Sequence, residues 1–370
     1  MADYSKINGI ESGDIAKVFA VETSNIEKVS GFTKPSEGPE TASRWIVGAS
    51  SGKIYSTTVS NGSSGWAELT DIGTMTIKDV AVGQDNAGNK RWILQGGSNT
   101  NEIWYANASL DVSDANNWSS VDLSGNYKAV DKGPALAWGN NVWVAGGNKV
   151  HDGDSYRTLW RSTDGGASWV SVDEGNTIND STISVAYKGS GSVWLMGHQS
   201  HIWKSTDDGA NWTDTATLKG TKDIFALAYN GNGRWVALLA NDNVFYSDDD
   251  GDNWTEASGG AWSGTWNTTG LVYAKGNINK WIACGASGRL SYSSDGASWT
   301  GIWEGDDSDW SSDHINGIAS DNSTVIIVGN NGKIAYSTNG TSFTVLSPAV
   351  SGVTTSYKSI ASDVIGGGLR

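Results

Sequence analysis

The sequence predicts an all-β protein: a single seven-bladed β-propeller of four-stranded blades, preceded by a short N-terminal β extension. Three observations support this prediction. A turn motif that ends in Trp recurs along the chain, and a second series of Trp residues recurs ahead of it. Both recur about every 45 residues, which is the period of a four-stranded blade. The composition agrees, since 48 Gly and 20 Trp with only 4 Pro are typical of a turn-rich β protein.

The turn motif is Ser-x-Asp-x-Gly-x-x-Trp, and it predicts a β-hairpin. It occurs in full at residues 162–169, 205–212 and 247–254, and one residue shorter at 293–299 and 337–343, the last with Asn339 and Phe343 in place of the Asp and the Trp. We expect the Asp to accept backbone hydrogen bonds, the Gly to adopt a positive φ and the Trp ring to pack between the strands. The residues predicted to fill these structural roles are Asp164, Gly166, Trp169, Asp207, Gly209, Trp212, Asp249, Gly251, Trp254, Asp295 and Trp299.

The two aromatic series each have seven members, which predicts seven blades. The first series is Trp45, Trp92, Trp143, Trp194, Trp235, Trp281 and, in the last unit, Ile326. The second series is Trp66, Trp118, Trp169, Trp212, Trp254, Trp299 and Phe343. Units 1 and 2 keep the second Trp without an Asp-x-Gly turn, so we expect their turns to be rebuilt around the same ring.

The C-terminus supplies a strand that the first unit lacks. Most units have an apolar strand ahead of the first Trp, but none separates the N-terminal residues from Trp45. The C-terminal run 357–363 resembles such a strand, and we expect residues 358–363 to pair beside residues 45–49. This closure would leave no open sheet edge. The predicted domains are therefore an N-terminal extension, 1–40, and the propeller, 41–370.

The repeated turn resembles the Asp-box, or bacterial neuraminidase repeat. Such repeats occur on the β-propellers of sialidases, xyloglucanases, sortilin-type receptors, photosystem assembly factors and many phage proteins. The resemblance implies an architecture rather than an activity, because the repeat is a structural turn. Residues 1–40 contain Ile15–Val18 and Ile26–Val29, which are similar to short segments near the starts of phage structural proteins. That similarity implies an assembly or anchoring segment.

Charge and composition exclude several classes of function. The formal net charge of −15 argues against binding nucleic acid or an anionic membrane surface. The single cysteine, Cys284, follows strand-like residues and is expected to be a buried, inert thiol. The sequence shows no signal-peptide pattern and no apolar run long enough to span a membrane, so we expect synthesis in a host cytoplasm and a final location in a virion.

Enzyme and metal motifs are weak. A sialidase would imply an arginine triad and an Arg-Ile-Pro segment, but Arg44, Arg91 and Arg234 share one repeated position on the turn side and no Arg-Ile-Pro occurs. The run Asp248–Asp252 fails as a calcium loop, because Asn253 stands where the loop needs Gly and Gly259 where it needs Glu. We therefore expect no catalytic residue, metal or cofactor.

A binding face is the strongest functional hypothesis. The longest predicted loops are 146–157, 257–270 and 302–316, and all lie on the side opposite the repeated turns. Aromatic rings next to carboxylates are suited to a sugar or a protein surface. The candidates are Trp262, Trp266, Trp303, Trp310, Asp306, Asp309, Asp313, His314, His151 and Tyr156. The alternative is that these Trp rings plug the top of the central channel.

Together these observations predict a non-enzymatic phage virion protein, a tail, fibre or capsid-surface component, that displays a propeller for glycan or protein contact. Its expected partners are other virion proteins, through residues 1–40, and a cell-surface glycan, within a homo-oligomeric or larger assembly. One alternative is a glycoside hydrolase that uses carboxylates of the 302–316 loop. Another is an intracellular assembly factor resembling the photosystem propellers.

Overall fold

The computed structural model describes the greater part of the chain. The described residues are 6–7, 10–11, 45–97, 102–107, 112–123, 135–152, 155–172, 184–259, 261–262, 268–304, 310, 312–346, 350–365 and 368–369. The chain divides into two compact units, Met1–Ala42 and Ser43–Arg370. In the first unit, strands β1 (Lys6–Ile7) and β2 (Ile10–Glu11) form an antiparallel pair. The repeats Ile15–Val18 and Ile26–Val29 lie outside the described residues.

The second unit is a ring of seven antiparallel sheets, as the repeats predict. The first strands of neighbouring sheets contact each other in a closed cycle, so they surround a common axis. Each sheet is one blade. In five blades the strands run outward from the axis in chain order, whereas the first blade begins with a C-terminal strand and the sixth has an additional strand on its axial side.

The strands of blades 1 to 4 are as follows. Blade 1 has β30 (Tyr357–Ser362), β3 (Trp45–Ala49), β4 (Lys53–Thr57) and β5 (Ala67–Asp71). Blade 2 has β6 (Thr76–Gln84), β7 (Lys90–Gly97), β8 (Glu102–Asn107) and β9 (Trp118–Asp122). Blade 3 has β10 (Leu136–Gly139), β11 (Val142–Asp152), β12 (Ser155–Ser162) and β13 (Val170–Ser171). Blade 4 has β14 (Ser184–Tyr187), β15 (Trp194–His198), β16 (His201–Ser205) and β17 (Thr213–Thr217).

The remaining strands form blades 5 to 7. Blade 5 has β18 (Ile224–Tyr229), β19 (Trp235–Leu239), β20 (Asn243–Ser247) and β21 (Thr255–Glu256). Blade 6 has β22 (Thr268–Ala274), β23 (Lys280–Gly285), β24 (Arg289–Ser293) and β25 (Thr300–Glu304), with a fifth strand, β31 (Gly368–Leu369), on the axial side of β22. Blade 7 has β26 (Ile315–Ser320), β27 (Val325–Gly329), β28 (Ile334–Ser337) and β29 (Thr344–Leu346).

Short 3-10 turns are the helical elements among the described residues, and none of these is long and apolar enough to cross a membrane. Four of them join the second and third strands of blades 1, 5, 6 and 7, and one precedes β9. They are Ser50–Gly52, Ala240–Asp242, Ala286–Gly288, Asn330–Gly332 and Ala115–Asn117.

The C-terminal strand closes the ring, which confirms the prediction. In blade 1, β30 pairs antiparallel with β3 from Trp45↔Ser362 to Ala49↔Tyr357. A buried carboxylate also connects the closing strand to the neighbouring blades. Ser359 Oγ donates to Asp79 Oδ1 at 2.7 Å, and Leu136 N donates to Asp79 Oδ2 at 3.2 Å. Asp79 therefore links the first strands of blades 1, 2 and 3.

The cores lie between adjacent blades, and the first Trp series fills them. Its six tryptophans are at most 1% exposed. The prediction is wrong for the last blade, where the register pairs Val325 with Ser337, as Trp281 pairs with Ser293 in blade 6. Val325 therefore takes the anchor position. Because adjacent strand residues face opposite sides of the sheet, Ile326 points to the other neighbour.

The repeated turns pack closely against the preceding blade, and this close approach requires a residue without a Cβ, which is Gly. Gly251 adopts a φ of 85°, and a Cβ built on it would lie 2.7 Å from Leu195 Cδ1 in blade 4. Gly209 makes the same approach to Val144 in blade 3. Each turn thus seals the boundary with the blade before it. Cys284 is buried in β23, as predicted.

Candidate functional site

The repeated turns use their polar atoms internally. In the turn 247–254, Gly251 N donates to Ser247 Oγ at 3.0 Å and Asn253 N donates to Asp249 Oδ1 at 2.8 Å. Trp254 Nε1 donates to Gly251 O at 2.9 Å. The same pattern recurs in 162–169 and 205–212. These residues shape the hairpin, which is the role that the sequence predicts for them.

The shorter turn of blade 6 keeps the carboxylate but not the indole bond. Ala297 N and Ser298 N both donate to Asp295 Oδ1 at 2.8 Å. Trp299 Nε1 is buried without a hydrogen-bond partner. The longer turns contain an additional residue with a positive φ, Asp208 or Asp250, and the short turn lacks this residue. Without it, the indole does not reach a turn carbonyl.

On the opposite side of the propeller, which we call the loop face, the candidate Trp rings are buried. Trp303 and Trp310 stack with ring centroids 5.7 Å apart, and Phe343 of blade 7 lies 5.9 Å from Trp303. Trp303 is 6% exposed and Trp310 is fully buried. Trp262 is also buried, and its backbone N donates to the Asp242 carboxylate at 3.2 Å. These three rings pack the blades and offer no exposed surface for stacking on a sugar.

The carboxylate of Asp313 is held in place by its neighbours. Lys333 Nζ lies 2.9 Å from Asp313 Oδ2 and also donates to Trp310 O at 2.6 Å. Asn331 Nδ2 donates to Asp313 Oδ1 at 2.8 Å. Burial opposes ionisation, but the hydrogen bonds from Lys333 and Asn331 outweigh it and lower the pKa of Asp313. We call Trp303, Trp310, Asp313 and Lys333 the loop cluster.

The other candidates of the loop face are described only in part. His314 is exposed, and its carbonyl accepts from Asn330 N at 3.1 Å. His151 and Tyr156 are backbone partners in the hairpin of β11 and β12. Trp266, Asp306 and Asp309 lie outside the described residues. Among the residues described, no three or more His, Cys, Asp or Glu side chains are grouped to hold a metal ion.

A cavity on the axis is the second candidate site. It measures about 350 Å³ and is lined by the first strands of six blades, among them Val82, Trp138, Tyr187 and Val272. The lining residues lie toward the ends of these strands, where each chain turns into the second strand. The axial cavity therefore belongs to the same side as the repeated turns, which we call the turn face. Its volume lies near the lower end of the range for small-ligand pockets.

Among the described residues that line the axial cavity, Lys275 is the one that carries a charge. It directly follows β22, and no hydrogen bond or ion pair joins its Nζ to another described residue. Burial lowers the pKa of Lys275. Two other cations of the turn face are paired, Arg234 with Asp248 at 2.6 Å and Lys188 with Asp250 at 2.6 Å. An unpaired, partly desolvated ammonium group favours an anionic ligand.

The chain itself enters the axial cavity. Val364 and Ile365, just after β30, contribute to its lining. The short strand β31 then pairs antiparallel with β22, as Tyr273↔Leu369 and Ala274↔Gly368. We call residues 364–369 the C-terminal segment. It shows that the axial edge of β22, next to Lys275, accepts an extended polypeptide.

Sequence reasoning did not find the axial cavity. Its walls come from apolar strands in six separate blades, so no local motif marks it. Two signals were present in the sequence: residues 364–370 extend beyond the strand that closes the ring, and Lys275 breaks the run of apolar residues that ends β22.

Comparisons with known proteins agree with the fold. A family model described as Sortilin, neurotensin receptor 3, matches residues 157–287, which is less than half of the chain. A search of the curated proteins gave no match. Two structures of YCF48 are similar. The one bound to a D1 peptide is 14% identical with a TM-score of 0.53, covering 77% of this chain and 92% of that chain. The one from Cyanidioschyzon merolae is 16% identical with a TM-score of 0.52, covering 75% and 86%.

A GH74 xyloglucanase from Xanthomonas campestris is similar as well. It is 15% identical with a TM-score of 0.55, and the match covers 88% of this chain but only 56% of that enzyme. At these identities the likenesses show the propeller fold alone, because one fold carries many functions.

Proposed function

We propose that this protein is a non-enzymatic recognition module that binds an extended polypeptide segment in its axial cavity. The observation that carries the proposal is the backbone pairing of the C-terminal segment with the axial edge of β22. An edge that takes one extended chain offers the same hydrogen bonds to another. Addition of a strand to a free sheet edge is a common mode of peptide recognition.

The walls of the cavity define the chemistry of the proposed ligand. Apolar residues such as Val82 and Val272 favour an aliphatic side chain, and Lys275 favours a carboxylate close to it. The overall charge of −15 would repel most anionic partners, so a single unpaired cation in the cavity selects where a carboxylate can bind. The fold-level likeness to YCF48, whose structure holds a D1 peptide, is an analogy that fits this ligand class.

The setting we propose is a phage virion, in which residues 1–40 anchor the chain and the propeller contacts a protein. The support is the sequence of the opening segment, with Ile15–Val18 and Ile26–Val29, and the acidic composition. The test compares particles assembled with the full chain and with a chain that lacks residues 1–40. We expect the shortened chain to be absent from purified particles, and its normal incorporation would contradict the anchoring role.

Hydrolysis of glycosides by the 302–316 loop gains no support from Asp313. A glycosidase needs two carboxyl groups about 5–10 Å apart, one on each side of the scissile bond. Asp313 is committed to an ion pair with Lys333 and to a hydrogen bond from Asn331. We therefore propose protein recognition ahead of carbohydrate chemistry.

The experiment selects linear peptides from a displayed random library against residues 41–370 and measures their dissociation constants by fluorescence polarisation. Lys275→Met removes the charge and keeps an apolar side chain of similar length. Lys219→Met is the matched control, because Lys219 is exposed and pairs with Glu256 outside the cavity. A glycan array probed with the same protein tests the alternative ligand.

We expect selected peptides to carry a carboxylate and to lose at least about tenfold in affinity with Lys275→Met but not with Lys219→Met, which corresponds to about 1.4 kcal/mol. Peptides that bind both variants equally would contradict a site at Lys275. Glycan binding without peptide binding would contradict the proposed ligand class.

A further inference from the structure

We propose that the C-terminal segment is a built-in competitor that covers the axial edge of β22 beside the axial cavity and must be displaced before another polypeptide pairs with that edge. The biological meaning of this inference rests on the proposed function. The contact on which it is built, between the described residues of the segment and the inner wall of the ring, does not.

The chain departs from the propeller pattern at the end of β30. In every other blade, the first strand turns back into the second strand of the same blade. In blade 1 the second strand, β3, comes from the start of the propeller, so the chain is free to continue after Ser362. It continues along the cavity at Val364 and Ile365 and reaches β22 of blade 6. Blade 7 lies between these two blades, and its Ala319 and Ser320 line the same cavity.

The structure separates a fixed part of the C-terminus from a displaceable part. The fixed part is β30, which pairs along the whole of β3 and has fully buried side chains at Tyr357 and Ile360. In the displaceable part, the described residues pair with two residues of β22, and Val364 and Ile365 are half-buried. The boundary is Asp363, which is buried and lies 3.9 Å from Lys90.

The sequence of the C-terminal segment also favours its replacement by another polypeptide. Residues 366–368 are three consecutive glycines. Glycine loses more conformational entropy on ordering than any other residue, so this stretch is costly to hold in one conformation. Among the described residues, two backbone pairs and the half-buried Val364 and Ile365 hold the segment in place. We infer that these contacts are few enough for another polypeptide to replace them.

A tethered competitor has a defined effect on binding. A segment of the same chain acts at an effective concentration in the millimolar range, so it competes with any free ligand of the same sheet edge. The apparent affinity for a free peptide is then the intrinsic affinity multiplied by the fraction of molecules in which the edge is uncovered. Removing the segment should restore the intrinsic affinity.

The experiment tests whether the segment is a separable ligand. The probe is a fluorescein-labelled peptide with the sequence of residues 364–370, Val-Ile-Gly-Gly-Gly-Leu-Arg. Its binding is measured by fluorescence polarisation to the full chain and to a chain that ends at Asp363. A second variant, Val364→Ser, Ile365→Ser and Leu369→Ser, keeps the length of the chain and replaces the apolar side chains of the segment with polar ones. Circular dichroism and thermal unfolding establish that each variant is folded.

We expect the shortened chain to bind the probe at least about tenfold more tightly than the full chain, and the triple-serine chain to resemble the shortened one. A control peptide with Pro at the two paired positions, 368 and 369, should bind much more weakly, because Pro cannot donate a backbone hydrogen bond. Lys275 is left unchanged in all these proteins.

Equal binding by the full and shortened chains, or no binding by a folded shortened chain, would overturn the inference. So would equal binding of the probe and its Pro-containing control. The outcome is independent of the peptide selection described above. If the probe binds but no selected peptide does, the segment is a structural plug and the proposed recognition function fails. If selected peptides bind the full and shortened chains alike, recognition stands and the competitor role fails.

Discussion

The loop cluster and the axial cavity differ in how they use their residues. The loop cluster has the residues that a binding site needs, stacked Trp303 and Trp310 with Asp313 and Lys333 beside them, but each group already contacts another. The axial cavity has mostly apolar walls, open volume and a cation, Lys275, that forms no ion pair with another described residue. In the loop cluster the aromatic and charged groups already have packing or hydrogen-bond partners, whereas in the axial cavity the space and the charge remain available to a ligand.

This difference teaches that residue type is a poor guide to function in a repeat protein rich in aromatic residues. A propeller needs large side chains between its blades, so an extra Trp in a loop is first a packing residue. A free site is recognised by space and by an unsatisfied charge. Four substitutions test this division between the two regions.

The largest effect is expected for Trp310→Ala in the loop cluster. Trp310 is fully buried against Trp303, so its removal leaves a cavity and should lower the free energy of unfolding by about 3–5 kcal/mol. Denaturant unfolding measures it, with Val170→Ala as the control, because Val170 is 62% exposed and its truncation should matter little. A small effect of Trp310→Ala on the free energy of unfolding would contradict the packing role of the ring, which would then be available for binding.

A smaller loss is expected for Ser359→Ala, in the framework around the axis. Ser359 Oγ donates to the buried Asp79 carboxylate, and its removal leaves that charge with one donor fewer. We expect the free energy of unfolding to fall by about 1–3 kcal/mol. Affinity for a cavity peptide should stay within about twofold, because Asp79 does not line the cavity. A large loss of peptide affinity in a folded variant would mean that the framework and the site are not separable.

Lys333→Met tests the ion pair of the loop cluster through pH. Hydrogen bonds from Lys333 and Asn331 outweigh burial and lower the pKa of Asp313, so its contribution to stability is complete above the unfolded pKa of about 3.9. That contribution is lost as the pH falls through the lower pKa of the folded state. We expect the variant to be less stable than wild type by about 1 kcal/mol at pH 7, and the difference to shrink below about pH 4. A pH-independent difference, measured by urea unfolding, would show that Lys333 acts only through packing.

The smallest effect on stability, of opposite sign, is expected for Lys275→Met in the axial cavity. Burial lowers the pKa of Lys275, so at pH 7 the folded protein carries a charge that its surroundings disfavour. The variant should be more stable by a small amount, on the order of 0.5 kcal/mol. This advantage should vanish as the pH rises toward 10.4, the ordinary pKa of lysine, where wild-type Lys275 becomes neutral. Destabilisation at pH 7 would mean that Lys275 has a structural role.

The repeats made the architecture predictable from the sequence. The spacing of Trp45, Trp92 and their equivalents predicted seven blades, and the run 357–363 predicted the closing strand. The prediction slipped by one residue at Ile326, because an aliphatic residue replaces the Trp and both Val325 and Ile326 are buried. Apolar neighbours in a central strand cannot be assigned to a face without the pairing register.

The candidate site was much less predictable. The exposure of a loop aromatic depends on contacts between blades, and nothing local in the sequence distinguishes a buried Trp310 from an exposed one. The axial cavity depends on residues that are far apart in sequence, such as Val82 and Lys275. The pairing of Leu369 with Tyr273 is likewise a contact of the closed ring.

The most direct test of the central claim is a crystal structure of residues 41–370 with a selected peptide bound. We predict an extended peptide along the axial edge of β22, in the place of β31, with a carboxylate within hydrogen-bond distance of Lys275 Nζ. A peptide bound on the loop face, beside Asp313 and His314, with the C-terminal segment still paired to β22, would contradict the account.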